Sequence, residues 1–333
     1  MAEKKKINWL LVLQGWAMLW VVIGHSPLGE PGGGPSWENA LYHFAYSFHM
    51  PLFMLVSGWL FYLTRLKANE LIWGGQKWNY SQIMKDKALR LLLPGFVFSV
   101  VAFALKIAFS GEMARQVEVN ILDIIHAYLY PYDNPMRELW FIATLFWLFT
   151  LSPVWKIVLK QEWSMWVALT TLAVLHFFHP YIEFLCIGRV FEYAIWFYLG
   201  LIISKTGFVE NVLSNYVGIT LLVGVIIYIL GVYSLRAITI LGGITFSFAF
   251  ALVADKYMPR LFFSFRDYTY QIFLLGIFAQ MLLKIVYRYV NWPYIPVFVL
   301  CIAIGLYVPV LVSKLIEKIN WKPLALCVGL KTK

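Results

Sequence analysis

The sequence predicts an all-α fold: a polytopic transmembrane helical bundle of about ten spans, forming a single domain over residues 1–333. Three observations predict it. The chain is 61% hydrophobic with a mean hydropathy of +0.73, too apolar for a soluble domain of 333 residues. Its apolar residues gather in runs of about 17 to 23, the length a helix needs to cross a bilayer, and the ten-residue alternation of a membrane β-barrel is absent. Its basic residues are sorted between alternate loops.

The spans fall near 7–24, 41–63, 91–110, 138–153, 163–178, 182–203, 216–234, 237–254, 268–287 and 294–313. The first is too long for a signal-peptide core and no small-residue cleavage site follows it, so it reads as an uncleaved span. The loop from Ser26 to Asn39 carries Pro27, Pro31, Pro35, Gly29 and Gly32 to Gly34, a composition for irregular chain. In the second span, Pro51 removes a backbone donor and disfavours helix at the preceding residue, which predicts a kink beside His49. The loop from Thr64 to Arg90 mixes Trp73 and Trp78 with lysines and is expected to lie along the interface. The stretch from Val117 to Tyr130 is apolar but short, as a re-entrant or surface helix would be. No internal repeat is visible.

With the amino terminus cytoplasmic, twenty lysines and arginines fall on the cytoplasmic side. Only Arg115, Arg137, Arg236 and Arg288 fall opposite. This bias places both termini in the cytoplasm. The net charge of +10 therefore reflects orientation and attraction to anionic lipid heads, not nucleic-acid binding. Cys186, Cys301 and Cys327 are scattered and odd in number, giving neither a disulfide framework nor metal spacing.

Polar residues inside such spans are the candidates for chemistry. A helix entering near Ile7 carries His25 to roughly 27 Å of depth, close to the far membrane face. Gln14 lies eleven residues before His25 and so shares its helix face. Single hydrogen bonds between helices are the structural alternative for both. His49 adjoins the predicted kink, whereas His43 reads as a water-facing interfacial residue. Ser57 and Gly58 are small enough to admit another helix or a ligand chain. Arg189 and Glu192 are one turn apart in the sixth span and form either a structural ion pair or a cavity wall. Lys106 and Lys284 read as snorkelling residues, and His176 and His179 as interfacial ones. Lys87 and Arg90 satisfy the positive-inside rule and also suit a phosphate.

The run Gln14-Gly15-Trp16-Ala17 through Gly24-His25, then Phe48-His49-Met50-Pro51-Leu52-Phe53 and Ser57-Gly58-Trp59-Leu60, resembles the membrane acyltransferase-3 family. Lys87 to Pro94, Leu139-Trp140-Phe141, Tyr193 to Gly200 and Tyr268 to Leu275 resemble further family patterns in order. The resemblance implies an integral-membrane O-acyltransferase of bacterial surface polysaccharides and related glycans in the plasma membrane. It implies acyl-coenzyme A, in particular acetyl-CoA, as donor substrate and no tightly bound cofactor or metal. Lys87 and Arg90 would take the phosphates, and the pantetheine arm would pass Gln14, Ser57 and Gly58. His25 would act as general base on the acceptor hydroxyl. The chain departs from the family pattern at Gln14, where arginine is usual, and at Gly276, where histidine is frequent. The alternatives are a polysaccharide or lipid-linked sugar exporter and a non-catalytic member that scaffolds a surface-polymer complex.

Overall fold

The computed structural model describes residues 7–29, 34–67, 79–108 and 121–330. Among them all regular structure is helical. The helices are α1 (Asn8–Gly24), α2 (Ser36–Phe61), α3 (Tyr80–Lys87), α4 (Leu93–Ala108), α5 (Ile121–Leu129), α6 (Leu139–Thr150) and α7 (Ser152–Val158). They continue as α8 (Glu162–Phe177), α9 (Ile187–Thr206), α10 (Val217–Val232), α11 (Arg236–Tyr257), α12 (Thr269–Tyr289), α13 (Tyr294–Ile319) and α14 (Lys322–Cys327). Short π-helical turns extend α2 to Leu66 and join α3 to α4.

Every predicted span is met by a helix, but their lengths differ. Among the described residues six stretches are long and apolar enough to cross a bilayer, and α6 with α7, bent by 51°, makes either a broken span or a re-entrant pair. The apolar helices α1 and α10 have 17 and 16 residues, and α8 has 16. Sixteen residues rise roughly 24 Å, short of a 30 Å core. The expected ten full spans are therefore not reached on length and apolarity.

One local expectation changes. Helix α2 begins at Ser36, inside the stretch expected to be loop, with the carbonyl of Pro35 accepting from Glu38 N–H. A proline before the first turn and a carboxylate within it both favour a helix start there. Pro51 lies within the length of this helix. The predicted interfacial Trp73 and Trp78 lie outside the described residues. Of the short apolar segment, Ile121–Leu129 is helical and too short to span.

The chain divides into two compact units, Met1–Phe53 with Gly207–Lys318, and Met54–Thr206 with Ile319–Lys333. In the first, α10 and α11 form a tight hairpin. A Cβ on Gly231 would lie 2.2 Å from Thr239 N, and one on Gly242 2.2 Å from Tyr228 N. Only residues without side chains allow helices to touch through their backbones in this way. Helix α1 packs on α11 and α12. Trp16 lies against Phe250 at 4.2 Å between ring centroids and donates to Ser247 Oγ at 3.1 Å. Met18, Val21 and Val22 join Ile272, Leu306 and Val310 in a buried cluster. In the second unit, α2 beyond Phe53 packs on α9, with Phe61, Phe149 and Phe197 forming an aromatic layer.

Candidate active site

His25 occupies the first position beyond α1, and its N–H still bonds to the carbonyls of Val21 and Val22. The helix therefore fixes where the ring begins. Its carbonyl accepts from Lys284 Nζ of α12 at 2.8 Å. Its Nδ1 lies 3.5 Å from the hydroxyl of Tyr46 on α2. Gly24 makes this approach possible, since a Cβ there would come within 2.9 Å of the Tyr46 ring.

Tyr46 links two histidines. Its ring meets His25 edge-on at 5.9 Å and His49 at 5.0 Å between centroids, with Tyr42 packed on it at 4.3 Å. Tyr46 and His49 are three residues apart and so share a helix face. His49 is buried, and its Nδ1 bonds to the carbonyl of Ala45 at 2.5 Å. A carbonyl only accepts, so Nδ1 carries a proton, which in the neutral tautomer leaves the lone pair on Nε2. Beside this group, Gln280 of α12 donates to Ser26 Oγ at 2.9 Å and to Val22 O at 3.1 Å. The bonds tie the end of α1 to α12. The buried Glu38 accepts from Tyr294 of α13.

Of the residues singled out in the sequence, His25 and His49 come together in this unit. Gln14 sits along α1, roughly 16 Å from His25 by helix rise. It is half-buried and next to Gly15, whose missing side chain admits Phe262. His43 is exposed, as expected of an interfacial residue.

The other candidates belong to the second unit. A Cβ on Gly58 would lie 2.0 Å from Phe197 O, and one on Gly200 1.9 Å from Leu55 O. The small residues of this motif thus admit helix α9. Ser57, beside Gly58, is half-buried. Lys87 Nζ stands 3.5 Å over the Phe149 ring and 5.5 Å from that of Phe61. Arg65 pairs with Asp86 at 2.7 Å, while Arg90 is exposed. Three cations and one carboxylate leave this end of the unit positive. Arg189 pairs with Glu192, donates through Nε to Tyr132, and lies 5.5 Å from the Trp140 ring. Burial raises the pKa of the Tyr132 phenol, against the pull of the Arg189 charge.

Sequence reasoning missed Tyr46, Lys284 and Gln280 as parts of the His25 environment. Lys284 does not simply snorkel, because its ammonium holds the His25 carbonyl. The signal was present: Gln280 and Lys284 are four residues apart, so they form a polar stripe on an otherwise apolar span. Gly276, where the family pattern often has histidine, is buried, and a Cβ there would meet Gly305 O at 2.8 Å. No metal-binding group of histidine, cysteine and carboxylate side chains occurs among the described residues.

An imidazole fixed at a helix end, with a phenol at its ring and an ammonium on its backbone, can accept a proton from a hydroxyl. Comparison with known proteins finds no significant match among curated proteins or solved structures. A family model described as an acyltransferase domain matches residues 7–314, from the start of α1 to near the end of α13. A match over nearly the whole chain, with several apolar helices long enough to cross a bilayer, makes this a multi-pass membrane protein of the acyltransferase-3 family.

Proposed function

We propose that this acyltransferase moves an acyl group, acetyl in the first instance, from acyl-CoA to a hydroxyl of a surface polysaccharide or glycan. The donor enters from the cytoplasm of a bacterial cell whose plasma membrane holds the chain with both termini inside. His25 takes the proton of the acceptor hydroxyl as its oxygen attacks the thioester carbonyl. A tetrahedral centre forms, the carbon–sulfur bond breaks, and the proton passes from the imidazolium to the departing thiolate. Lys87 and Arg90 hold the phosphates of coenzyme A. Gln14 stands along the pantetheine path where the family pattern has arginine, offering a neutral amide instead of a fixed charge.

The observation that carries this reading is the attachment of His25. Its backbone is anchored by α1 and Lys284, and its ring meets Tyr46. Positioning of this kind is what a general base needs. The positive end around Arg65, Lys87 and Arg90 supports an anionic donor. The test is transfer from radiolabelled acetyl-CoA to glycan by the purified chain in proteoliposomes. Wild type should transfer label, and His25→Ala should lose about 10²- to 10⁴-fold in rate. Unchanged transfer by that variant would remove the base. A wild-type protein that binds no coenzyme A would instead be a scaffold.

A further inference from the structure

One concavity of the second unit has no part in the proposed reaction. It is a cleft of about 740 Å³ walled by α7, α8 and α9. Its walls are almost wholly apolar, with Val154, Ile157, Val167 and Leu172 among them, and with Ala168 and Ala194 leaving room. Ligand-holding cavities commonly measure roughly 300–1,000 Å³. Along α8 the lining runs from Trp163 to Leu175, which by helix rise is roughly 18 Å, more than half of a bilayer core.

One end of the cleft differs from the rest. Lys160, Gln161 and Ser164 line it there, next to the exposed Trp163. Lys156 lies one turn before Lys160, and Lys205 donates to the carbonyl of Leu159 at the same end. The stretch from Lys156 to Glu162, with Lys205, carries three ammonium groups and one carboxylate, that of the exposed Glu162. Tryptophan and lysine mark headgroup depth, and a surplus of positive charge there attracts anionic lipid.

The geometry points to a site for one anionic phospholipid. Its acyl chain lies in the cleft along α8 and its phosphate sits at Lys160, in the leaflet that meets the lysine-rich end. The occupant is a lipid because the walls offer almost no hydrogen-bonding groups beyond the rim. It is anionic because the rim is cationic. This site is independent of the acyl-transfer reaction.

Native mass spectrometry of the full chain in mild detergent tests it, with phosphatidylglycerol and phosphatidylcholine of matched chains added together. Wild type should retain one phosphatidylglycerol, preferred by about thirtyfold if each of Lys156 and Lys160 acts as a lysine does at a lipid surface. Lys160→Glu, at an exposed position, should abolish the preference without changing the melting temperature in lipid-free detergent. Ala168→Phe should fill the cleft and remove the adduct of either lipid. Equal retention of the two lipids by wild type overturns the proposal, as does a preference that survives Lys160→Glu.

Discussion

From Ser36 to Phe53, helix α2 presents side chains with chemistry. Tyr42, Tyr46 and His49 stack on one another, and Tyr46 reaches His25. From Met54 to Phe61 the same helix presents its backbone. Gly58 and Leu55 meet α9 at Phe197 and Gly200, where no side chain fits between them. The two motifs sit side by side in the sequence, yet the first depends on which atoms a residue carries and the second on atoms it lacks. Substitution therefore damages the halves differently: activity fails in the first, assembly in the second.

The contrast sets an order of effects. Gly58→Val forces a branched side chain against a backbone carbonyl, which neither partner can rotate away from. Overpacking of side chains in a well-packed core already costs about 1–3 kcal/mol, and this contact with backbone exceeds it. The variant should yield no monodisperse protein by size-exclusion chromatography in detergent, and a well-folded Gly58→Val would dissolve the distinction. Next comes His25→Ala, with its 10²- to 10⁴-fold loss of transfer. Its melting temperature should stay within a few degrees of wild type, because the backbone bonds to Val21, Val22 and Lys284 survive. A comparable loss of folding would make His25 structural.

Lys87→Met sharpens the comparison at the end of α2, where Lys87 covers the Phe61 ring. The thioether stem retains the apolar contact and drops the charge. The expected outcome is a rise of about tenfold in KM for acetyl-CoA with kcat little changed, the pattern of binding lost equally from ground state and transition state. Tyr46→Phe is the mildest. It keeps the stack on Tyr42 and His49 and removes only the hydroxyl 3.5 Å from His25. A fall of several-fold in kcat at constant KM is expected, in line with about 1 kcal/mol for one hydrogen bond.

Much of the fold is written in hydropathy, because burial in lipid leaves runs that need no partner to be recognised. The helix at each predicted span follows from this. The start of α2 at Ser36 escaped because glycine and proline dominated the preceding loop, while one carboxylate at Glu38 marked the turn. Gly58 was legible only as a close approach, since a missing side chain does not name its neighbour. Lys284 illustrates the larger loss. Along the chain it is a cation near a span end, and nothing local says that the carbonyl of His25, 259 residues earlier, is its partner. The cleft along α8 has no sequence signature, as it is a shape made by three helices together.

The contact between Gly276 and Gly305 reaches beyond its two residues. A histidine at 276 would press on the carbonyl of α13 itself, so placing one there is not a local change. The pair of helices would first have to separate. Gln280, one turn further along α12, would be drawn off Val22 and Ser26 as they parted. A side chain at 276 thus requires the interface between these two helices to be rebuilt around it.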